Sequence, residues 1–278
     1  MIKIVFFGTS NFAVPIMQKL LDLNFNIIAV VTQPDKPQGR TKQCAPSPIK
    51  LLAQKYHLPV VQPEKINLSD LKNYTADLGV LVAYGQLINP DIIKSFPNSI
   101  INIHPSLLPQ YRGPSPIQSA LLDGCRETGT SLMVLDNNLD TGPIINQKKI
   151  IIEPTDDFLS LSGKLAILSA DLLAVSIDKY IDKKIIPISQ NNAIATYSQI
   201  INKKNGEIKL TDHPKEIINK LKAFTPWPGI YFFWKNKRFK ILTAHLNNNK
   251  LVIDTIQPEG KKSMTYGEFI KGYRDFNF

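Results

Sequence analysis

Residues 3–31 read KIVFFGTSNFAVPIMQKLLDLNFNIIAVV, and this stretch decides how the fold begins. The apolar run Lys3–Phe7 ends at a glycine, residues from Val14 to Leu23 have the spacing of a helix, and Asn26–Val31 is a second apolar run. Strands that are apolar at nearly every position, with a helix between them, are typical of parallel strands covered on both faces. The stretch therefore predicts the first strand–helix–strand unit of an α/β fold.

The same alternation continues as far as residue 182. The turn after the first strand, Gly8–Ala13, carries Ser10 where a dinucleotide-binding fingerprint needs glycine, so an α/β fold without a dinucleotide is favoured. The elements together predict a mostly parallel sheet. They are strands at Pro59–Val61, Asp77–Ala83 and Ser99–Ile103, a hairpin-like strand pair at Gly129–Leu135 and Gly142–Ile152, and helices at Ser47–Tyr56 and Phe158–Asp182.

The C-terminal part has a different pattern. Polar residues dominate 189–207, and a helix at Pro214–Phe224 is followed by several short strands, which favours a small β-barrel. The strand candidates are Tyr231–Trp234, Phe239–Leu242 and Lys250–Asp254. We therefore predict a large α/β domain over 1–188, a linker over 189–207 and a β-barrel domain over 208–278.

The composition limits the class of protein. The chain has 278 residues, 43% of them hydrophobic, which is enough to bury a core, and no run of eighteen apolar residues, so no membrane partner is expected. The N-terminus begins at once with a strand and lacks the pattern of a signal peptide. The two cysteines, Cys44 and Cys125, do not have metal-ligand spacing. We therefore expect a cytoplasmic protein without a metal site or a disulfide framework.

The net charge of +10 is concentrated near the C-terminus. Residues 197–278 contain 15 Lys and Arg against 7 Asp and Glu, a net of +8. This asymmetry indicates either a polyanionic partner or a lysine-rich composition, and composition leaves both open. A second basic segment, Pro34–Pro48, carries Lys36, Arg40 and Lys42 in a Pro-rich loop. That loop is either a phosphate-binding loop or a tolerated surface insertion.

Residues 102–118, NIHPSLLPQYRGPSPIQ, begin at the end of a predicted strand. Asn102 and His104 lie two apart, so their side chains point to the same face, and Asp140 follows another strand. Alone, His104 fits a core histidine and Asp140 a turn former. Together, the amide, imidazole and carboxylate supply a donor that polarises a carbonyl, a group that handles protons and a group that orients it. This set suits direct acyl transfer to an amine.

The segments Asn102–Pro109 (NIHPSLLP) and Leu139–Gly142 (LDTG) together resemble the signature of the 10-formyltetrahydrofolate-dependent formyltransferases. Further segments are similar to the branch of that family that formylates methionyl initiator tRNA, and the resemblance spans nearly the whole chain. These segments are Phe7–Ala13, Thr32–Asp35, Gly39–Arg40, Pro46–Pro48, Tyr111–Gln118, Phe224–Gly229 and Gln257–Met264.

The resemblance implies a Rossmann-like formyltransferase domain followed by an oligonucleotide-binding-fold-like (OB-like) domain that helps to grip tRNA. It implies that a formyl group passes from 10-formyltetrahydrofolate to methionyl initiator tRNA without a metal. Asn102, His104 and Asp140 match the catalytic residues of the family. The residues matched to folate binding are Ser106, Leu107, Leu108, Pro109, Tyr84 and Gly85, and those matched to tRNA binding are Arg40 with its loop neighbours Lys36 and Lys42. A monomer is expected, since no association helix is evident.

Two departures from the family pattern lead to further expectations. Asn138 stands where the family usually has glycine, and because asparagine tolerates left-handed backbone angles the turn is expected to keep its shape. The stretch between Leu242 and Ile256 is short, as if a strand pair were missing from the barrel.

Two alternative functions are also compatible with the sequence. The same core could formylate an amino-sugar nucleotide or glycinamide ribonucleotide, although that reaction needs neither the basic loop nor the basic C-terminal domain. The other alternative is an RNA-binding protein with a decayed core, against which the intact Asn102, His104 and Asp140 argue.

Overall fold

The computed structural model describes residues 2–38 and 43–276, which form two compact units. Of these residues, unit 1 comprises 2–38, 43–113, 128–150 and 162–197, and unit 2 comprises 114–127, 151–161 and 198–276. The segment 189–207, predicted as a linker, contributes residues to both units.

A seven-stranded sheet forms the centre of unit 1, with the strand order β5-β2-β1-β6-β7-β8-β9. Up to residue 181 the strands, in chain order, are β1 (Lys3–Gly8), β2 (Asn26–Val31), β3 (Lys36–Gln38), β4 (Gln43–Ala45), β5 (Val60–Val61), β6 (Leu78–Val82), β7 (Ile100–His104), β8 (Glu127–Val134) and β9 (Ile144–Ile151). The helices are α1 (Val14–Asp22), α2 (Pro48–Lys55), α3 (Pro90–Lys94), α4 (Pro116–Leu122), which belongs to unit 2, and α5 (Phe158–Ile181). Strands β5, β2, β1, β6 and β7 are parallel, and β8 runs antiparallel to β7. The predicted α/β fold with a mostly parallel sheet is confirmed.

Alternating side chains of β1 explain why both faces of this sheet are covered. Ile4 and Phe6 belong to one buried cluster and Val5 and Phe7 to another, because successive residues of a strand point to opposite faces. All four side chains are fully buried. A strand buried on both faces must be apolar at every position, which is the pattern that predicted it.

Helix α5 is long and apolar enough to span a membrane by length and composition alone. Its Leu165, Leu173 and Ile177 are fully buried, and the last two belong to the cluster that contains Phe6 of the sheet. One face of α5 therefore packs in the core, while Leu159, Ile167 and Val175 of the same helix are more than half exposed.

The strand order reverses direction between β1 and β6, since β2 and β5 lie on one side of β1 and β6 on the other. Ligands of open α/β sheets bind beyond the carboxyl ends of the strands at such a position. Here the Thr9 hydroxyl, just after β1, donates to the Tyr84 carbonyl, just after β6, at 2.9 Å. The two strand ends are thus joined at the place where a ligand is expected.

Unit 2 contains an antiparallel sheet in the order β10-β11-β12-β13. Besides α4, its elements are α6 (Pro214–Phe224), β10 (Ile230–Trp234), β11 (Lys237–Asn247), β12 (Lys250–Pro258), β13 (Met264–Thr265) and α7 (Tyr266–Gly272). The short stretch after Leu242 forms one hairpin between β11 and β12, which turns at Asn248 and Asn249, both with positive φ. Within the described residues β10 and β13 do not pair with each other, so this sheet is open rather than closed into a barrel.

Candidate active site

Strand β7 places Asn102 and His104 at the carboxyl end of the sheet. It lies between β6 and β8, with Leu81 opposite Asn102 on one side and Ser131 opposite His104 on the other. Asn102 is 6% exposed and His104 is 4% exposed, so both polar side chains are buried and need polar partners. Their positions two residues apart give them one common partner.

That partner is Asp140, in the loop between β8 and β9. Its Oδ1 accepts a hydrogen bond from Asn102 Nδ2 at 3.2 Å, and its Oδ2 accepts one from the Gly113 N–H at 2.7 Å. His104 Nδ1 lies 3.6 Å from the same Oδ2. The structure therefore brings together the three residues predicted to be catalytic. It also adds a main-chain donor, Gly113, that the sequence did not indicate.

The hydrogen bonds define the protonation of His104. Its Nε2 lies 2.9 Å from the carbonyl oxygen of Tyr111, and since a carbonyl only accepts, Nε2 carries a proton. Nδ1 then faces the carboxylate of Asp140, and one further proton can be held between Nδ1 and Oδ2. The pair is thus arranged to receive a proton.

The left-handed backbone angle of the loop between β8 and β9 does not fall on Asn138. The residue with a left-handed backbone is Asp140 itself, with φ of 51°, and Asn138 does not have a positive φ. The Asn138 N–H instead donates to Asp136 Oδ1 at 3.2 Å. The turn therefore does not use the tolerance of asparagine for left-handed angles at residue 138. The left-handed angle falls on the residue whose carboxylate enters the site.

Residues 106–109, predicted to bind folate, are fixed by one buried hydroxyl. Ser131 Oγ accepts the Leu108 N–H at 3.1 Å and donates to the Ser106 carbonyl at 2.6 Å. The side chain of Gln147 donates both to Ser131 Oγ at 2.8 Å and to the Leu108 carbonyl at 2.9 Å. Ser106 and Leu108 are buried. The segment is held rigidly with its main-chain groups already paired.

Two residues of the same segment are only half-buried, namely Leu107 and Pro109. Leu107 lies against Gly129 of β8, where an added Cβ would come within 2.5 Å of Leu107 Cδ2. Glycine at this position of β8 therefore makes room for Leu107.

The side chain of Tyr84 points into the core and not into the site. It is 1% exposed and packs edge-on against Phe7, with ring centroids 5.9 Å apart. Its hydroxyl has no hydrogen-bond partner among the described residues, and burial, with the charge of Asp70, raises the pKa of Tyr84 to about 12. Only main-chain groups of Tyr84 face the strand ends, where its carbonyl accepts the Gln33 amide at 2.8 Å.

The neighbouring Gly85 has a φ of 81°, and a Cβ there would lie 2.3 Å from Gln33 Nε2. The positive φ favours glycine at this strand end, and the Gln33 side chain would have to move to admit a Cβ. A ligand can therefore approach the main chain closely at Gly85.

The basic loop is described only in part. Strands β3 and β4 pair antiparallel, so the described ends of Pro34–Pro48 form a hairpin where a structureless loop was predicted. Lys36 is exposed on β3, and its Nζ donates to Gln33 Oε1. Arg40 and Lys42 lie outside the described residues.

The start of this hairpin is held by an ion pair. Lys50 Nζ lies 2.7 Å from Asp35, and hydrogen bonds from Gln62 and Lys50 lower the pKa of Asp35. The carboxylate of Asp35 therefore anchors β3 to helix α2.

Two side chains beside the site were missed by sequence reasoning. Arg112 is 1% exposed, and Gln190, from the segment predicted as a linker, binds both Arg112 and the Asp140 main chain. The one signal in the sequence is the segment Tyr111–Gln118, a family motif to which the sequence assigns no role of its own.

The chain that carries this site also matches two models of a known protein family. The family model described as formyl transferase matches residues 2–175, and the model described as formyl transferase, C-terminal domain, matches residues 200–251. The chain belongs to the formyl transferase family.

Among its relatives, the methionyl-tRNA formyltransferase of Thermodesulfovibrio yellowstonii is 39% identical, over 97% of this chain and 95% of the relative. The solved methionyl-tRNA formyltransferase from Clostridium thermocellum has a TM-score of 0.64 at 15% identity, covering 93% of this chain and 99% of its own. An N-formyltransferase from Helicobacter canadensis, solved with folinic acid and dTDP-3-aminofucose, has a TM-score of 0.69 at 24% identity, covering 89% of each chain. At these identities the two solved structures bear on the fold alone.

Proposed function

We propose that the chain transfers the formyl group of 10-formyltetrahydrofolate to the α-amino group of methionyl initiator tRNA, acting as a cytoplasmic monomer. The observation that carries the proposal is the convergence of Asn102 and His104 on Asp140 in a chain of the formyl transferase family. The identity of 39% to a methionyl-tRNA formyltransferase over 97% of the chain favours this acceptor over a sugar or a ribonucleotide.

The reaction forms a bond between the attacking amine nitrogen and the formyl carbon and breaks the bond from that carbon to N10 of the folate. One proton leaves the attacking nitrogen, and one is needed by the departing nitrogen. Negative charge grows on the formyl oxygen. Asn102 Nδ2 carries two hydrogens, of which Asp140 binds one, and the second can bind this oxygen. Loss of such a donor costs roughly 100- to 1000-fold in rate.

His104 and Asp140 handle the proton. The Nε2 proton is bound by the Tyr111 carbonyl, so the proton of the amine is received between His104 Nδ1 and Asp140 Oδ2, and is returned to the departing nitrogen. If His104 also binds the formyl oxygen, the donor is Nε2, and its bond to Tyr111 breaks first.

The folate is bound by residues 106–109 and by the main chain at Tyr84 and Gly85. The half-buried Leu107 and Pro109 offer apolar contacts, while the hydrogen bonds of Ser131 and Gln147 fix the backbone that carries them. Gly85 allows the folate to approach the backbone, because it has no Cβ.

The tRNA is bound through its phosphates. Exposed cations of unit 2, together with Lys36, Arg40 and Lys42 of the basic loop, are the groups we assign to this contact. The exposed cations of unit 2 include Lys235, Lys237, Arg238, Lys250, Lys261, Lys262, Lys271 and Arg274. Such binding weakens steeply with salt, since each phosphate contact releases counterions.

One assay separates the candidate functions. The chain is supplied with 10-formyltetrahydrofolate and, in separate reactions, with methionyl initiator tRNA, methionyl elongator tRNA, an amino-sugar nucleotide or glycinamide ribonucleotide. Formylation of the initiator tRNA supports the proposal. Formylation of a sugar or ribonucleotide alone overturns it, and tRNA binding without any formylation indicates a non-catalytic RNA-binding protein.

Two variants test the parts of the site separately. Asn102→Ala is expected to lower kcat at least 100-fold and to leave tRNA affinity unchanged. Arg40→Ala is expected to raise the KM for methionyl initiator tRNA and to leave folate affinity unchanged. Equal loss of folate affinity in Arg40→Ala would mean that the loop has a structural role instead.

A further inference from the structure

Arg112 is the largest of the fully buried side chains in the described part of the chain. Its Nε and Nη2 donate to Gln190 Oε1 at 3.1 and 2.8 Å, and Nη2 also donates to Asn192 Oδ1 at 2.7 Å. Its guanidinium carbon lies 6.0 Å from the centre of the Tyr197 ring. The planar fork of arginine holds the orientation of its acceptors, and therefore that of the Gln190 amide.

The orientation of the Gln190 amide follows from its partners. Arg112 can only donate, so the oxygen of the amide faces Arg112. The nitrogen faces the loop of Asp140, where it donates to the carbonyls of Asp140 at 2.9 Å and Gly142 at 2.8 Å. All four hydrogen-bonding positions of the amide are used.

Both neighbours of Arg112 in the sequence also contact the catalytic pair. The Tyr111 carbonyl binds His104 Nε2, and the Gly113 N–H binds Asp140 Oδ2. The backbone of this turn thus holds the two side chains, while the side chain of Arg112, through Gln190, holds the main chain of Asp140. Arg112 connects the two supports of the His104–Asp140 pair.

We propose that Arg112 and Gln190 are positioning residues that hold Asp140 at the distance from His104 and Asn102 that proton transfer requires. This inference rests on the proposed function. Misplacement of a reacting group by about 1 Å can cost roughly 100-fold in rate, so loss of this support acts on kcat. Neither side chain needs to touch a substrate.

The variant Gln190→Glu separates positioning from a purely structural role. A carboxylate at residue 190 still accepts from Arg112, so the contact between Arg112 and the segment after α5 is kept, but it cannot donate to the Asp140 and Gly142 carbonyls. Gln190→Met removes both sets of bonds without adding charge. Ser176→Ala is the matched control, because it removes a buried hydrogen bond, from Asn146 at 2.9 Å, that is not part of the site.

We expect Gln190→Glu and Gln190→Met to lower kcat about 10- to 100-fold, with KM for both substrates within threefold of the parent chain. Ser176→Ala should retain the kcat of the parent. A purely structural role predicts that Gln190→Glu keeps kcat and that Gln190→Met lowers only the melting temperature. Retention of kcat by Gln190→Glu overturns the inference.

A second measurement is independent of the acceptor that the enzyme uses. The chain has four histidines, so the imidazole signals in a long-range ¹H–¹⁵N spectrum can be assigned by substitution. We expect the His104 signals to shift in both Gln190 variants and to stay unchanged in Ser176→Ala. Unchanged His104 signals in both Gln190 variants overturn the inference, whereas an inactive parent chain with methionyl initiator tRNA overturns only the proposed function.

Discussion

Replacement of Asp140 by asparagine tests the carboxylate at the centre of the site without changing its shape. The residue has a φ of 51°, and asparagine is among the side chains that tolerate this left-handed angle best, so the backbone is kept. The change removes the charge and replaces one acceptor oxygen by an NH₂ group. Its effect can therefore be assigned to hydrogen bonding and charge.

The expected magnitude follows from the two donors that Asp140 binds. Asn102 Nδ2 donates to one carboxylate oxygen and the Gly113 N–H to the other. Because the main-chain N–H can only donate, the oxygen of the introduced amide stays on Gly113 and its NH₂ faces Asn102, which either loses this bond or turns its own amide oxygen, instead of its NH₂, into the site. A hydrogen bond to a charged group is worth about 1.5–3 kcal/mol, and losing one lowers the free energy of unfolding by about that amount. Without the carboxylate, no negative charge lies next to His104 Nδ1 to help hold the proton that leaves the amine. The value of kcat should therefore fall roughly 100- to 10,000-fold.

Both quantities can be compared with a matched change in the same loop. Asp136 accepts the Asn138 N–H at 3.2 Å and the Thr141 hydroxyl at 2.6 Å and does not contact Asn102 or His104, so Asp136→Asn should keep kcat. The assays are urea unfolding followed by circular dichroism, and single-turnover formylation of methionyl initiator tRNA. If Asp140→Asn behaves like Asp136→Asn in both assays, the carboxylate does not order the site and the proposed proton path is refuted.

Three other substitutions give distinct results. Tyr84→Phe should raise the free energy of unfolding by about 1 kcal/mol at pH 7, because the buried hydroxyl has no partner among the described residues. The pKa of Tyr84 is raised to about 12 in the folded chain, so pH 11 lies between its unfolded and folded pKa values. At pH 11 the free energy of unfolding of the parent should therefore fall by ~1.4 kcal/mol through this group, whereas that of Tyr84→Phe should not. Equal urea midpoints for parent and variant at both pH values would contradict this. Ser131→Ala releases the Leu108 N–H, so it should lower the free energy of unfolding by about 1–3 kcal/mol. It should also raise the KM for 10-formyltetrahydrofolate with little change in kcat. An unchanged KM would mean that Ser131 does not support folate binding by residues 106–109. Gly85→Ala places a Cβ on a left-handed backbone, so it should lower the free energy of unfolding by roughly 1–2 kcal/mol. It should also weaken folate binding in an equilibrium titration. Parental affinity in this variant would exclude a close approach of folate to this backbone.

The large domain could be predicted from the sequence because burial on both faces leaves a pattern. Strands such as β1 and β2 are apolar at almost every position, and the helices between them limit the topology to a parallel sheet. Asn102 and His104 were recognisable for a related reason. Polar residues in an otherwise buried strand are uncommon, and β7 is buried at all five positions.

The outer parts of the fold could not be predicted in the same way. Residues 243–247 continue β11, but most of their side chains are exposed, so no alternation of apolar and polar residues marks the strand. The hairpin of β3 and β4 likewise has few buried side chains. Its Pro-rich sequence favoured a loop, because prolines remove donors from a strand ladder.

Gln190 was missed for another reason. A run of polar residues such as Gln190–Asn192 predicts a solvated linker, since most amides are exposed. The sequence does not contain the orientation of the Gln190 amide, which depends on Arg112 and on the carbonyls of Asp140 and Gly142 in space. A glutamine is written the same way in a sequence whether all four of its hydrogen-bonding positions are satisfied within the protein or its side chain faces water.

Much of the support for the His104–Asp140 pair also comes from main-chain groups, which do not depend on the type of side chain. The acceptor for His104 Nε2 is the main-chain carbonyl of Tyr111, and one donor to Asp140 is the main-chain N–H of Gly113. These groups are visible in a sequence only through residues that allow the required backbone, such as Gly113 with its φ of 110°. A side-chain truncation at Tyr111 leaves the carbonyl in place, so alanine scanning cannot detect this contact. Substitutions of Gln190 and Arg112 can detect such support, because their side chains hold the main chain at Asp140.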